Sequence, residues 1–377
     1  MIKVDILDPH DKAQSRRFLQ LPFRLYAQYP QWVPPILDDI RLMLNRSKHP
    51  FYEHSEAEFF LAADGNRDLG RLTVMENRRY NDYHHKKQAQ FYLFECEDNP
   101  EAAAALFERA FDWARARGLD QVVGPKGFGA LDGYGLLTEG FDQRQMMTMM
   151  NYNPPYYVRL LEQQGFEKEV DFASFQLSVD VFQMPPAMHA VADRAVERGS
   201  FKVLRFRSKQ DLVKHWAKPI GAAYNKAFVD NWEYYPLTEH EIDLLVSNLM
   251  IVTEPSLVKI ITHQDEVVGF VFAFADVSAA LQRARGQINP LSLADLLLDM
   301  RRTKAVALNG AGILPAYHGR GGNALLYVEM EKTMRESGRF RQAELTQIAE
   351  TAVQMRRDVQ RMGGRLYKNH RVYRRNL

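Results

Sequence analysis

Residues 312–332, GILPAYHGRGGNALLYVEMEK, place three closely spaced glycines and an arginine between a short apolar run and the pattern of an amphipathic helix. The first N–H groups of a helix have no intrahelical partner, and together with the helix dipole they bind phosphate oxygens. Gly319, Gly321 and Gly322 leave the approach to these groups open, and Arg320 adds a positive charge. The stretch predicts a phosphate-binding turn between a strand and a helix. The alternative is an ordinary turn that happens to be rich in glycine.

The composition is that of a globular protein large enough for two domains. The chain has 377 residues, 46% of them hydrophobic, and a net charge of +2 that gives no global reason to expect a nucleic-acid partner. The apolar run 267–275 is too short to cross a bilayer, and residues 1–11 lack the plan of a signal peptide. Cys96, the one cysteine, excludes an internal disulfide. We expect a soluble, cytoplasmic monomer or homodimer without membrane partners.

The two halves of the chain repeat each other at an offset of about two hundred residues. Each half opens with a short strand, IKVDIL at 2–7 and FKVLRF at 201–206, followed by a helical pattern and a Trp-to-Pro segment. A hairpin comes next in both halves, then a strand, a helix, a strand, a helix and a final strand. This shared order predicts two tandem folds of the α/β class. Each has a mixed sheet of parallel and antiparallel strands, in an α+β arrangement.

The boundary between the halves lies near Gly199. We assign residues 1–180 to the first domain, 181–199 to a linker that contains a short helix, and 200–377 to the second domain. Two insertions interrupt the repeat, a glycine-rich loop at 124–150 and a polar turn with a helix at 285–302. Both are long enough to be functional, and the first is expected to be a mobile loop over a cleft.

The glycine turn resembles the coenzyme A-binding motif of the GNAT superfamily of acyl-CoA N-acyltransferases. Four positions agree with that motif, whereas His318 replaces its Arg or Gln and Asn323 replaces its last glycine. The resemblance implies two tandem GNAT-like folds, as in a group of bacterial proteins, and acetyl-CoA or another acyl-CoA as a substrate. It implies that the coenzyme is bound by Ile313, Leu314, His318, Gly319, Arg320, Gly321, Gly322 and Asn323.

The matching turn of the first half is a poor phosphate site. Asp98, Asn99, Pro100 and Glu101 form a well-capped helix start, in which proline has no N–H to offer and the acids repel a phosphate. We therefore expect coenzyme A to bind in the second half only, with the first half a degenerate copy.

Two other kinds of site are not supported by the spacing. The glycines of the first insertion do not form a dinucleotide-binding fingerprint, because their intervals are wrong and no helix follows directly. His84 and His85 have no Cys or carboxylate partner at metal-ligand spacing, so no metal site is predicted.

The GNAT resemblance implies that an amine attacks the thioester carbonyl directly. A backbone N–H at Ile313 or Leu314 would polarise that carbonyl. The preceding strand carries no carboxylate, so the candidate general base is Glu350 at the end of the next strand, or Glu344 further back. Both are equally consistent with surface carboxylates.

The family's usual proton donor is a tyrosine in the following helix, where this sequence has Val359. Tyr367 and Tyr373, in the last strands, are the substitute candidates, and both are also consistent with packing. The absence of the usual acid and base keeps open a noncatalytic protein that binds coenzyme A.

Two aromatic clusters, at 151–157 and 224–235, have the amphipathic composition of small-molecule pockets, although core packing is an equal alternative. By analogy with tandem GNAT proteins such as the N-myristoyltransferases, the acceptor is a small-molecule or peptide amine bound between the halves. The candidate acceptor residues are Tyr156, Tyr157, Asn225, Trp232 and Lys126.

The second function class is a nucleic-acid-binding regulator. Nine basic residues concentrate in the last helix and strands, from Arg356 to Arg375. No helix-turn-helix pattern or zinc-finger spacing accompanies them, so a solvated chain end or attraction of the coenzyme's 3′-phosphate is favoured.

Overall fold

The structure is a computed structural model of the 377-residue chain. It describes residues 1–129, 132–146, 150–206, 208–229, 231–232 and 234–377, with the backbone alone at 250–251. Residues 130–131 and 147–149 of the first insertion therefore lie outside the described part. The remaining chain has the α/β class with mixed sheets that the sequence predicts.

The elements of the first half follow the predicted order, with an added helix after the Trp-to-Pro segment and another before β4. They are β1 (Ile2–Ile6), α1 (Lys12–Leu25), α2 (Leu37–Leu44), β2 (Glu56–Asp64), β3 (Arg67–Glu76), α3 (Arg78–His84), β4 (Gln88–Cys96), α4 (Pro100–Arg115), β5 (Gln121–Gly124), β6 (Leu136–Glu139), α5 (Tyr156–Gln163) and β7 (Glu167–Ser178).

The second half begins with the predicted linker helix and then repeats this order. Its elements are α6 (Pro186–Glu197), β8 (Lys202–Val203), α7 (Lys209–Ala227), α8 (Glu239–Val252), β9 (Val258–His263), β10 (Glu266–Ala275), α9 (Ser278–Ala284), α10 (Pro290–Arg302), β11 (Ala305–Ile313), α11 (Gly322–Ser337), β12 (Gln342–Ala349), α12 (Val353–Arg361) and β13 (Arg365–Asn376).

The chain folds into two compact units that are not two consecutive segments. Unit 1 comprises Met1–Phe172, Ser278–Leu296 and Lys368–Leu377, and unit 2 comprises Ala173–Val277 and Leu297–Tyr367. The last strand of the second half thus contributes most of its length to unit 1, and the end of β7 belongs to unit 2. The predicted division into 1–180, 181–199 and 200–377 follows the repeat along the sequence and stays a prediction.

Unit 1 contains strands in the order β1-β2-β3-β4-β5-β13. Neighbours pair antiparallel except β4 and β5, which run parallel. Helix α4 packs its apolar face on the sheet, with Leu106 and Phe107 buried against Phe91. Asn99 starts this helix by accepting a hydrogen bond from the N–H of Ala102, as an N-cap residue does.

Part of the second insertion also belongs to unit 1. The side chain of Gln282 in α9 donates hydrogen bonds to the carbonyls of Pro30 and Trp32, at 2.8 and 2.9 Å. The N–H of Leu37 bonds the carbonyl of Gly286 at 2.8 Å. These bonds tie the insertion to the Trp-to-Pro segment of the first half.

Unit 2 contains strands in the order β8-β9-β10-β11-β12, followed by the end of β7. β11 and β12 run parallel, whereas β8 through β11 pair antiparallel. Helix α11 buries Leu325 and Val328 in a core shared with Ile261 and Val268, and Ala192 of α6 belongs to the same core. In the described part of the chain, no helix combines the length and apolarity needed to span a lipid bilayer.

Candidate functional site

The glycine turn joins β11 to α11 in unit 2. The strand ends at Ile313, a 3-10 turn covers Pro315–Tyr317, and the helix begins at Gly322. Gly319 and Gly321 adopt left-handed backbone conformations, with φ of +73° and +89°. Residues with a Cβ rarely adopt such angles, so the turn needs glycine at both positions.

The three glycines of the turn have different surroundings. A Cβ on Gly321 would lie 3.0 Å from Cγ1 of Val191 in α6, and a Cβ on Gly322 would lie 2.6 Å from Cδ1 of Ile313. A Cβ on Gly319 would have no heavy atom within 4 Å. Gly321 and Gly322 therefore permit close packing, whereas Gly319 faces open space.

The N-terminus of α11 is not occupied by the protein's own side chains. Its N-cap residue is Gly321, no side chain accepts from the first N–H groups, and the first turn contains no acidic residue. Asn323 is exposed there. These N–H groups, next to the open space at Gly319, form a cradle whose geometry suits an anion.

The matching helix start in the first half is closed. Asn99 caps α4 from its side chain, Pro100 occupies the first helical position, and Glu101 lies in the first turn. The proline offers no N–H, and the carboxylate disfavours an anion. The first half therefore has the same elements without the cradle.

His318 and Arg320 differ in their roles in the turn. The Nε2 atom of His318 lies 2.9 Å from the carbonyl oxygen of Ile313, so its N–H fastens the turn to the end of β11. The guanidinium of Arg320 lies 5.1 Å above the ring of Tyr317 and its side chain is exposed. Arg320 is thus available to an incoming anion, while His318 shapes the backbone.

A gap opens between β11 and β12 next to the turn. The parallel pairing runs only from Ala305 opposite Gln342 to Leu308 opposite Leu345. Both strands then continue, to Ile313 and Ala349, without pairing to each other. β11 remains paired to β10 across a bulge, where Gly310 has a φ of +102°. In the described part of the chain, β11 is therefore not paired with β12 between Leu308 and the turn.

The pairing of β11 with β10 shows which N–H groups face this gap. The N–H of Leu314 bonds the carbonyl of Val268 at 2.9 Å and is used inside the sheet. Alternate residues of an antiparallel strand point their N–H groups to opposite sides. The N–H groups of Ile313 and Ala311 therefore face the gap. The N–H of Ile313 or Leu314 is predicted to polarise a thioester carbonyl. Of these two, only the N–H of Ile313 points towards the gap.

The two predicted general bases lie on opposite sides of the closed end of the gap. Glu344 sits within the paired part of β12, opposite Ala307, and is 5% exposed. Glu350 follows the end of β12 and is partly exposed. Of the two, Glu350 comes directly after the stretch of β12 that is not paired with β11.

The two predicted proton donors lie in different units. Tyr367 belongs to unit 2 and is partly exposed. Tyr373 belongs to unit 1, where it is 1% exposed in the core and lies opposite Gly124 of β5. Burial raises the pKa of the Tyr373 hydroxyl to about 12.

The predicted acceptor residues are also divided between the units. Tyr156, Tyr157 and Lys126 belong to unit 1, and Asn225 and Trp232 belong to unit 2. The hydroxyl of Tyr156 donates to the carbonyl of Cys96 at 2.8 Å, and the Lys126 ammonium lies 4.9 Å above the ring of Tyr80.

Asn225 has a structural role in the described part of the chain. Its side-chain nitrogen donates to the carbonyl of Leu237 at 3.1 Å, and its side-chain oxygen accepts from the N–H of Leu237 at 3.0 Å. Trp232 is partly exposed. The two side chains thus belong to the same unit as the glycine turn.

Unit 1 contains a buried charged cluster that sequence reasoning missed. Arg71 on β3 and Glu95 on β4 are directly opposite each other, with 3.8 Å between Nη2 and Oε1. The Glu95 carboxylate accepts hydrogen bonds from the hydroxyls of Tyr26 and Tyr157, at 2.7 and 2.9 Å. The guanidinium of Arg71 also donates to the carbonyl of Phe18 at 2.7 Å.

Burial governs the titration of this cluster. It raises the pKa of Glu95, although Arg71 and the two hydroxyls act in the opposite direction, and it raises the pKa of Tyr26 well above its usual range. A cavity of about 80 Å³ adjoins the cluster, with Trp32 and Tyr152 among its lining residues. The detectable signal in the sequence is one charged residue inside each of two apolar strands that follow one another along the chain.

Part of the basic chain end is engaged in ion pairs. Arg371 forms a bidentate pair with Asp171, at 2.7 and 3.0 Å. Arg374 pairs with Glu167 at 3.0 Å and with Glu169 at 3.2 Å. These contacts reduce the positive field that a nucleic acid would need. Among the described residues, no group of three or more His, Cys, Asp or Glu side chains is placed to hold a metal ion.

No family model matches the sequence. The chain is similar along nearly its whole length to two curated proteins. It is 29% identical over 375 residues to the bacterial ceramide synthase of Caulobacter vibrioides, covering 97% of this chain and 95% of that protein. It is 24% identical over 375 residues to protein YghO of Escherichia coli, covering 97% and 94%.

Solved structures resemble the whole chain. A tandem GNAT protein from the clavulanic acid biosynthesis pathway matches 100% of this chain and 98% of its own, with a TM-score of 0.54 at 12% identity. A GCN5-related N-acetyltransferase from Sphaerobacter thermophilus matches 100% and 95%, with a TM-score of 0.51 at 15% identity. These likenesses agree with the internal repeat of the chain. The protein therefore has the tandem GNAT fold, with a degenerate first copy.

Proposed function

We propose that the protein is an N-acyltransferase that transfers an acyl group from an acyl-CoA to an amine. The observation that carries this proposal is the open cradle at Gly319 and the N-terminus of α11, which continues into the gap along β11. The cradle suits the pyrophosphate of coenzyme A, with Arg320 as an added cation. The closed start of α4 supports placing the coenzyme in the second half alone.

The gap suits the pantetheine arm, which carries two amide groups. The N–H groups of Ile313 and Ala311 face the gap and can donate to arm carbonyls or to the thioester oxygen. The distance from Ile313 back to Leu308 is about 16 Å along an extended strand. An arm that follows this edge from the cradle brings the thioester towards the closed end of the gap.

The reaction is a direct acyl transfer. The amine nitrogen attacks the thioester carbonyl carbon, a C–N bond forms, the C–S bond breaks, and the thiolate leaves. The nitrogen loses one proton to a base and the thiolate gains one from an acid. The candidate base is Glu344, next to the closed end of the gap, or Glu350, which follows the end of β12. Tyr367 is the candidate acid in the same unit.

The name of the Caulobacter relative suggests the substrates. A ceramide is an amide of a fatty acid with a long-chain amino alcohol. We propose a fatty acyl-CoA as the donor and an amine of this amphipathic kind as the acceptor. The aromatic residues Tyr156, Tyr157 and Trp232, with Asn225 and Lys126, remain the candidate acceptor residues.

The proposal is tested by incubating the purified protein with palmitoyl-CoA and sphinganine, a long-chain amino alcohol. Thiol release is followed optically, and the amide product is identified by mass spectrometry. We expect thiol release that depends on the amine, with one amide formed per thiol released. Thiol release at the same rate without amine would contradict transfer. No product from palmitoyl-CoA or acetyl-CoA with any of several amines would favour a noncatalytic protein that binds coenzyme A.

A further inference from the structure

Unit 2 contains a cavity that lies under α11. This cavity has no role in the site described above. Its volume is about 290 Å³, near the lower end of the roughly 300–1,000 Å³ typical of small-molecule pockets. Its walls are mainly aliphatic and methionine side chains, among them Leu177, Met184, Leu308, Met330, Leu345 and Met362.

The cavity begins where the gap closes. Leu308 and Leu345, which line it, are the last paired residues before β11 and β12 separate. A thioester carried back along β11 therefore reaches the cavity's inner end. Gly338, Arg341 and Gln342, at the other end, are exposed. The cavity is thus lined both by residues at the closed end of the gap and by exposed residues at the C-terminal end of α11.

Three charged residues, Glu331, Arg335 and Arg341, also line the cavity, and the first two pair with each other. Glu331 accepts a hydrogen bond from Arg335 at 2.8 Å, and its other oxygen lies 3.2 Å from Nε2 of His189. Methionine is flexible and fills or vacates irregular space easily, which suits a ligand without polar groups. Neither a phosphate nor an amine would find a partner among the leucine and methionine walls.

We propose that this cavity binds the hydrocarbon tail of the fatty acyl group of the acyl-CoA. The inference rests on the proposed function and adds the determinant of acyl length. A tail that enters at Leu308 and Leu345 buries its methylenes against Met330 and Met334 of α11. The exposed end at Gly338 lets a longer tail reach solvent. Affinity is therefore expected to rise with chain length and then to level off.

We test whether the cavity binds the acyl tail by calorimetric titration. The ligands are coenzyme A, acetyl-CoA, octanoyl-CoA and dodecanoyl-CoA, each below its micelle-forming concentration. Each methylene buried in the cavity is expected to strengthen binding roughly fourfold. Octanoyl-CoA should therefore bind far more tightly than acetyl-CoA. If coenzyme A binds but acetyl-CoA and octanoyl-CoA have equal affinities, the proposed role of the cavity in binding the acyl tail is overturned. The proposed function would still stand. No binding of coenzyme A by the folded protein would overturn both.

Two variants narrow the cavity independently. Ala343→Phe fills it from β12, and Met334→Trp fills it from α11, where the side chain is partly exposed. Each is expected to bring the affinity for octanoyl-CoA down to that for acetyl-CoA. Val353→Phe, at a position 49% exposed and outside the cavity, is the matched control and should keep the chain-length preference.

The ratio of the octanoyl-CoA and acetyl-CoA dissociation constants is read within each variant, so a general loss of affinity does not imitate the effect. Thermal unfolding confirms that each variant is folded. If Ala343→Phe does not fold, Met334→Trp alone decides the result. A folded blocking variant that retains the wild-type ratio would overturn the proposal.

Discussion

The Nε2 atom of His318 lies 2.9 Å from the carbonyl oxygen of Ile313, and this hydrogen bond fastens the glycine turn to the end of β11. The bond links the end of β11 to the residue just before Gly319. His318 therefore acts on the shape of the turn, in addition to any contact with a ligand.

Replacing His318 by Ala is expected to weaken coenzyme A binding and to lower the free energy of unfolding by at most about 1 kcal/mol, because one partly buried hydrogen bond is lost. Gln retains an N–H donor, so His318→Gln should retain more of the affinity. Calorimetry and urea unfolding measure the two effects. Wild-type affinity in His318→Ala would show that the bond does not shape the site.

The three glycines of the turn should differ in their tolerance of alanine. Gly319→Ala adds a Cβ into open space and is expected to cost about 1 kcal/mol, from its left-handed backbone alone. Gly321→Ala has the same backbone strain and also contacts Val191, which adds about 1–3 kcal/mol of overpacking. Urea unfolding checks this ranking. Equal losses in the two variants would contradict the packing of α6 against the turn.

The buried pair Arg71–Glu95 should be strongly coupled. Arg71→Met or Glu95→Leu alone leaves an uncompensated buried charge, which is expected to cost about 3–5 kcal/mol. The double variant should cost much less than the sum. A double-mutant cycle measured by urea unfolding gives the coupling. The exposed pair Arg41–Asp38 is the control and should couple by less than about 1 kcal/mol. Additive losses at Arg71 and Glu95 would refute the coupling.

His370 should make the protein sensitive to acid. Burial lowers its pKa from 6.5 to about 4, and its Nε2 donates to the carbonyl of Asn151 at 2.9 Å. Because the pKa is depressed in the folded state, the stabilising effect is present above pH 6.5 and is lost as the pH falls towards 4. The loss is about 3 kcal/mol.

The variant His370→Gln keeps an N–H donor and does not titrate in this range. Urea unfolding between pH 7 and pH 4 should show a shallower loss of stability in this variant than in the wild type. Parallel curves for the two proteins would show that His370 is not the group responsible.

The order of the elements and the position of the glycine turn could be predicted because they depend on local patterns. The hydrophobic period, the caps and the glycines are all encoded within short stretches such as residues 312–332. The repeat strengthened the prediction of the element order, because the same order occurs in both halves. The poor phosphate site at Asn99 and Pro100 was likewise predictable, because capping is a local property.

The remaining features depend on pairing between distant residues. The last strand of the chain, β13, pairs with β5 of the first half, which places Tyr373 opposite Gly124. The partner of a strand cannot be read from its own sequence. The orientation of the Ile313 and Leu314 N–H groups depends on the register of β11 with β10. The cluster of Arg71 and Glu95 likewise requires the register of β3 with β4, which the alternating pattern alone does not give.

The central claim is that the turn around Gly319 binds the phosphates of coenzyme A, and its most direct measurement is calorimetric titration of coenzyme A into three proteins. These are the wild type, Gly319→Asp and Gly319→Asn. Asp and Asn have nearly the same shape and both tolerate the left-handed backbone of Gly319, so the variants differ mainly by one negative charge in the open space. We predict that the wild type and Gly319→Asn bind coenzyme A and that Gly319→Asp does not. Equal binding by the two folded variants, or none by the wild type, would contradict the claim.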